Sequence, residues 1–122
     1  LDKDNRITGI DIHSYAGMGA YFSQFAQGIP TMLQEKILPG VYDIPASRFR
    51  VDGVFTHSTQ IDAYRGAGRP EGIYLLERLM DVAAKQVGMD PIEFRSLNFI
   101  RPEQMPYKTA LGLPYDVVSS RR

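Results

Sequence analysis

The sequence predicts an α+β unit, a small sheet of about two or three strands packed with about three helices, and three observations carry that expectation. Apolar and polar residues alternate with a period of two over residues 7–15 and again over 48–56, as in half-buried strands. Ile73, Leu76, Met80, Ala83 and Val87 step by three and four, giving one apolar helical stripe. Pro and Gly punctuate the intervals between these segments, and 122 residues suit one domain.

The elements follow in order. Asp2-Lys3-Asp4-Asn5 reads as a turn. In the first strand Ile10 and Ile12 alternate with Asp11 and His13, and Gly17 and Gly19 then imply a bulge or the close approach of another backbone. After Pro30 the pattern over residues 23–38 turns helical, with Leu33, Ile37 and Leu38 on one face and Pro39-Gly40 as the stop. The second strand sets Phe49, Val51 and Phe55 on one side and Arg48, Arg50, Asp52 and Thr56 on the other. A turn-rich stretch over 59–68 leads into the longest helix, residues 70–87, which Gly88 ends. Asp90-Pro91-Ile92-Glu93 starts another helix with an acidic cap, a proline in the first turn and a carboxylate three residues on. Beyond Asn98 the chain is irregular, broken by Pro102, Pro106 and Pro114. Two strands do not make a self-sufficient sheet. The expectation is a single segment, residues 1–122, truncated at both ends and belonging to a larger domain.

Bulk composition excludes several classes. Fourteen Lys and Arg balance fourteen Asp and Glu, which argues against a nucleic-acid partner held by phosphate contacts. An apolar fraction of 43% argues against disorder. No apolar run approaches the roughly 20 residues of a membrane span, and no signal peptide opens the chain, so a cytoplasmic location is expected. There is no cysteine, and therefore no thiolate for nucleophilic, zinc or iron–sulfur chemistry. His13 and His57 have no second ligand at metal spacing and read as surface or hydrogen-bonded histidines.

The most distinctive stretch is Ala63-Tyr64-Arg65-Gly66-Ala67-Gly68-Arg69-Pro70-Glu71-Gly72. Three glycines ahead of a helix let backbone approach a ligand, and the helix start adds free N–H groups and a positive end. With Arg65 and Arg69, this can be a seat for an anionic cofactor or substrate. It can equally be a tight strand-to-helix turn with Arg69 and Glu71 solvated. The spacing of Gly66, Gly68 and Gly72 fails the dinucleotide fingerprint, and no Lys-Ser or Lys-Thr pair makes a P-loop. A stand-alone phosphate- or nucleotide-binding module remains the alternative function, and a purely structural docking piece a third. Asp62 can orient Arg65 or make a surface pair. Tyr42 can line a pocket or pack beneath its turn, while Met18, Met32, Met89 and Met105 read as filling.

That loop, with Gly88-Met89-Asp90-Pro91, Phe94-Arg95-Ser96-Leu97-Asn98-Phe99-Ile100, Pro106-Tyr107 and Gly112-Leu113-Pro114-Tyr115-Asp116 beyond it, resembles the molybdenum-binding large subunit of the xanthine dehydrogenase and aldehyde oxidase family. Upstream, Gly17-Met18-Gly19-Ala20-Tyr21, Ile29-Pro30 and Tyr42-Asp43-Ile44-Pro45 extend the resemblance, which is strongest to bacterial carbon monoxide dehydrogenase large chains. It implies a larger molybdopterin-binding domain and an oxidoreductase that inserts water-derived oxygen at a carbon centre of a small-molecule substrate. The implied cofactor is molybdenum with molybdopterin, in the cytosine dinucleotide form. FAD and 2Fe–2S clusters would belong to flavin and iron–sulfur partner subunits. Cofactor binding is implied for Arg65, flanked by Tyr64 and Gly66, and a place in the substrate pocket for Ala67 and Gly68. No catalytic residue is implied within these residues, so the segment alone would be inactive without the remainder of the large subunit. Copper-containing members carry cysteine where Gly66 aligns. Purine hydroxylases carry phenylalanine at Ala67 and arginine at Leu33, so the resemblance points away from both chemistries.

Overall fold

Strand β1, Ile10–Gly19, lies parallel to β2, Ser47–Phe55, with Ile12 opposite Phe49. The computed structural model describes residues 1–116. Parallel neighbours cannot be joined by a tight turn, so residues 20–46 form the crossover. Helix α1, Arg69–Val87, and helix α2, Pro91–Asn98, follow. A short antiparallel ribbon, β3 at Tyr107–Lys108 and β4 at Pro114–Tyr115, closes the described chain. The expected α+β class is therefore observed, as small two-stranded sheets with helices, although the parallel pairing was not read from the sequence.

The crossover departs from the regular helix expected over 23–38. A single 3₁₀ turn at Ala26–Gly28 runs into a wide π-helical turn at Ile29–Leu33, then loosens into turns up to Gly40. Pro30 has no N–H to give, and the Thr31 hydroxyl donates to the Gln27 carbonyl. Both features compete with a regular α ladder. The expected irregularity of β1 is present. Its register shifts between Gly17 and Gly19, and Gly19, at φ +81°, lies so close to Thr59 and Gln60 that a Cβ would strike their backbone. Glycine there serves both a bulge and a close approach.

Helix α1 buries Gly72, Leu76, Met80 and Ala84, a stripe with steps of four. The reading of Ile73 as core is corrected: it is 55% exposed, and Ala84 rather than Ala83 is fully buried. These residues meet Ile7, Ile10, Ile12, Leu38, Ile44 and Phe94, with Phe49 packed alongside. Met32, expected as filling, is instead 54% exposed, whereas Met18 is buried. Tyr42 packs beneath its turn. It is 1% exposed, stacks on Phe99 and donates to the Glu77 carboxylate at 2.9 Å. Arg95 binds the same carboxylate at 2.9 Å and Asp81 at 2.8 Å, joining α2 to α1.

Asp90 caps α2 through the N–H groups of Ile92 and Glu93, as the sequence predicts. At the other end Asn98 is buried. It accepts from the Ile7 N–H at 2.8 Å and donates to the carbonyls of Asn5 and Phe94. Asn98→Leu would leave the Ile7 N–H without its acceptor and should cost about 2 kcal/mol, read from the denaturation midpoint of the polypeptide carrying this segment. Burial, then the hydrogen bond to Glu77, pushes the Tyr42 phenol up to about 12. Burial, then Asp43, does the same for Tyr107, also to about 12. A phenol raised in the folded state adds stability that is complete below its unfolded value near 10 and is lost as pH climbs toward about 12. Stability should therefore fall over that window, and Tyr42→Phe should flatten the fall in denaturation series across pH.

Candidate functional site

The loop ahead of α1 is shaped by an unusual run of backbone angles. Gly66 has φ +95°, Ala67 +37° and Gly68 +87°, three successive residues in the left-handed region. Glycine adopts this region readily, and alanine does so at a cost. Two hydrogen bonds close the turn: Ala67 N–H donates to the Tyr64 carbonyl at 2.8 Å, and Arg69 N–H to the Gly66 carbonyl at 3.0 Å. The Arg69 guanidinium also donates to Gly66 at 3.3 Å.

A second segment backs this loop. Gly68 is buried, and a Cβ placed on it would collide with the Ile29 carbonyl and come within 3.2 Å of the Gln34 nitrogen. Gly72, one turn on, leaves room for Ile37 and Gln34, its absent Cβ lying 3.1 Å and 3.4 Å from them. The start of α1 thus rests on the irregular turn of the crossover. Leu33 and Ala67 each precede a residue of this contact, so they stand on the two segments that meet there. Sequence reading missed the pairing; its only signal was the glycine spacing, which demanded some close neighbour.

The outward side of the loop is open. Tyr64 is 88% exposed, Arg65 is exposed, and Gly66 and Ala67 are half-buried. Among the described residues, the N–H groups of Tyr64, Arg65, Gly66 and Gly68 have no backbone acceptor, and the Arg65 guanidinium has no hydrogen-bond or ion-pair partner. Asp62 does not orient Arg65; its carboxylate accepts from the Ala63 N–H at 2.7 Å. The result is a patch of unmatched donors beside two arginines, Arg65 and Arg69, neither of which is ion-paired among the described residues. Unmatched N–H groups and a guanidinium suit an oxygen-rich anionic group. Of the five candidate site residues, Tyr64, Arg65 and Gly66 lie at this patch, Ala67 borders it, and Gly68 anchors it from behind.

Both histidine expectations concern places away from this patch. His13 on β1 bonds Asp52 on β2 at 2.7 Å, and that bond, more than the neighbouring Arg50, holds the Asp52 carboxyl below its usual value. His57 lies in the exposed loop after β2. Among the described residues no group of three or more His, Asp or Glu is arranged to hold a metal ion. No described helix is long and apolar enough to cross a membrane.

Comparisons with known proteins bear on this geometry. The family model of the molybdopterin cofactor-binding domain matches residues 1–99. The carbon monoxide dehydrogenase large chain of Hydrogenophaga pseudoflava is 40% identical over 118 residues, which cover 93% of this chain and 14% of that one. The gamma subunit of the 6-hydroxypseudooxynicotine dehydrogenase complex of Paenarthrobacter nicotinovorans is 33% identical over 95% of this chain and 14% of its own length. The crystal structure of quinoline 2-oxidoreductase from Pseudomonas putida 86 superimposes with a TM-score of 0.81 at 32% identity, over 95% of this chain and 15% of that one. The chain thus spans about a seventh of these relatives. Nothing among them supports a stand-alone nucleotide-binding module.

Gly68→Ala tests the anchoring contact. With φ at +87° and the Ile29 carbonyl in the way, the methyl group should cost more than about 1 kcal/mol and displace the loop. Denaturation midpoints of the parent polypeptide, compared with those of Gly88→Ala, where a Cβ meets nothing within 4 Å, would separate backbone strain from collision.

Proposed function

The chain belongs to the molybdopterin cofactor-binding domain family, and from that premise we propose that its 64–68 loop forms one wall of the cofactor site in a molybdenum hydroxylase large subunit. The observation that carries this reading is the row of unmatched N–H groups at Tyr64, Arg65 and Gly66 beside the unpaired Arg65 guanidinium. Donors fixed in place by backbone conformation need no reorganisation when an anionic group arrives. The residues present therefore fit an oxygen-rich cofactor. When bound, the molybdenum–pterin group supplies a two-electron redox centre for hydroxylation at carbon with water-derived oxygen.

Within that site Arg65 holds oxygen atoms of the cofactor or of a bound oxyanion, and the flanking amides of Tyr64 and Gly66 share the load. Ala67, with its small side chain, and Gly68, with none, stand in this reading at the edge of the substrate pocket. Their size leaves space for an aldehyde or a heteroaromatic ring. Gly66 offers no thiolate, and φ +95° with Pro70 Cδ 3.0 Å from an added Cβ makes a cysteine at this position strained. That favours hydroxylation over copper-assisted oxidation of carbon monoxide. All 122 residues act as one segment of the larger domain, and no catalytic residue is assigned within them. The cytosine dinucleotide form of the cofactor, a cytoplasmic location, and electron transfer to iron–sulfur and flavin subunits carrying 2Fe–2S clusters and FAD complete the proposal.

Arg65→Ala in the full large subunit, assembled with its partners, tests the assignment. Loss of one preorganised charged donor should lower turnover by about 10- to 1,000-fold, or lower molybdenum content to match. Wild-type metal content together with wild-type turnover would overturn it.

A further inference from the structure

Arg69 stands at a place that helix electrostatics disfavour. It is the first residue of α1, where the positive end of the helix dipole repels a cation. Glu71 shares that first turn, yet no ion pair joins it to Arg69 among the described residues. Arg69 is also exposed and adds nothing to the core. A residue set against a local rule, without a gain in pairing or packing, points to a task other than helix stability.

Arg69 instead turns back onto its own loop. The Gly66 carbonyl accepts from the Arg69 N–H at 3.0 Å and from the Arg69 guanidinium at 3.3 Å. At the other end of the same peptide unit the Ala67 N–H donates to the Tyr64 carbonyl at 2.8 Å. The Gly66–Ala67 peptide is thus held from both sides. It needs holding. Ala67 keeps φ at +37° between two left-handed glycines, and backbone strained in this way persists only where its surroundings fix it. The two peptides before it carry the N–H groups of Arg65 and Gly66, which have no backbone acceptor among the described residues. Peptide planes are rigid, so a fixed plane after Gly66 restricts how the plane before it can turn.

We propose that Arg69 is a positioning residue: its guanidinium braces the Gly66–Ala67 peptide and so aims the Arg65 and Gly66 amides at the anionic group they bind. This role deepens the reading of the 64–68 loop as a wall of the cofactor site and rests on it. Arg69 acts through the loop and not on the cofactor.

Arg69→Met, close in length but without donor or charge, and Arg69→Lys, which keeps both, test this in the full large subunit assembled with its partners. Turnover per bound molybdenum should fall about 10-fold in Arg69→Met and return to within about threefold of wild type in Arg69→Lys. Hydrogen exchange of the 64–68 segment, read by mass spectrometry, should be at least about 10-fold faster in Arg69→Met than in wild type. The melting midpoint of Arg69→Met should not fall, because an exposed cation at this end of α1 does not stabilise the helix. Unchanged exchange in Arg69→Met, whatever its turnover, would overturn the proposal. So would a lysine variant as impaired as the methionine one, or a lowered midpoint, which would make Arg69 a structural residue. Arg65→Ala, measured alongside, separates this inference from the reading beneath it. Impaired Arg65→Ala with wild-type Arg69→Met rejects the brace and leaves the cofactor site standing, whereas wild-type Arg65→Ala rejects both.

Discussion

Contact between two stretches of backbone governs the arrangement. Where Gly68 meets Ile29 and Gln34 there is no space for even a methyl group. That contact decides where α1 begins, which way its first turn faces and how the 64–67 loop stands away from the body. A side chain at Gly68 would push the loop off the crossover turn and take the donor patch with it. Gly19 against Thr59 and Gln60 plays the matching part at the far end of the same loop. Between these two points residues 61–67 are held at both ends, which lets an exposed segment keep one shape.

Behind the loop the packing is conventional in kind but polar at its joints. Glu77 takes hydrogen bonds from both Tyr42 and Arg95, so one carboxylate joins the crossover, α1 and α2. Asn98 does the same for the N-terminal segment and α2. Networks of this sort are costly to break singly, because each remaining member keeps a desolvated group without its partner. They rigidify the platform from which the loop projects. A donor patch is useful to a cofactor only if it does not have to be reassembled for each binding event.

Much of this was legible in the sequence. The cap at Asp90, the stop at Gly88 and the bulge at Gly17 and Gly19 each rest on one local rule, and each holds. The glycine loop before α1 announced itself by spacing. What sequence could not decide was whether the loop's amides find partners elsewhere in the chain. Residues 23–38 were misread as regular helix since Leu33, Ile37 and Leu38 have helical spacing, while the Thr31 hydroxyl bond that competes with the ladder leaves no periodic trace. Ile73 was assigned to the core because periodicity gives a stripe but not the angle at which a helix docks. The parallel pairing and the Arg95 network join residues far apart in sequence, beyond the reach of local pattern.

Everything proposed for this loop turns on its donors meeting the cofactor. An experimental structure of the cofactor-loaded parent enzyme is the direct measurement. It should place oxygen atoms of the bound group within about 3.2 Å of the Arg65 guanidinium and of at least one amide among Tyr64, Arg65 and Gly66. A loop whose amides are capped by carbonyls from elsewhere in the subunit, with Arg65 ion-paired away from the cofactor, would contradict it.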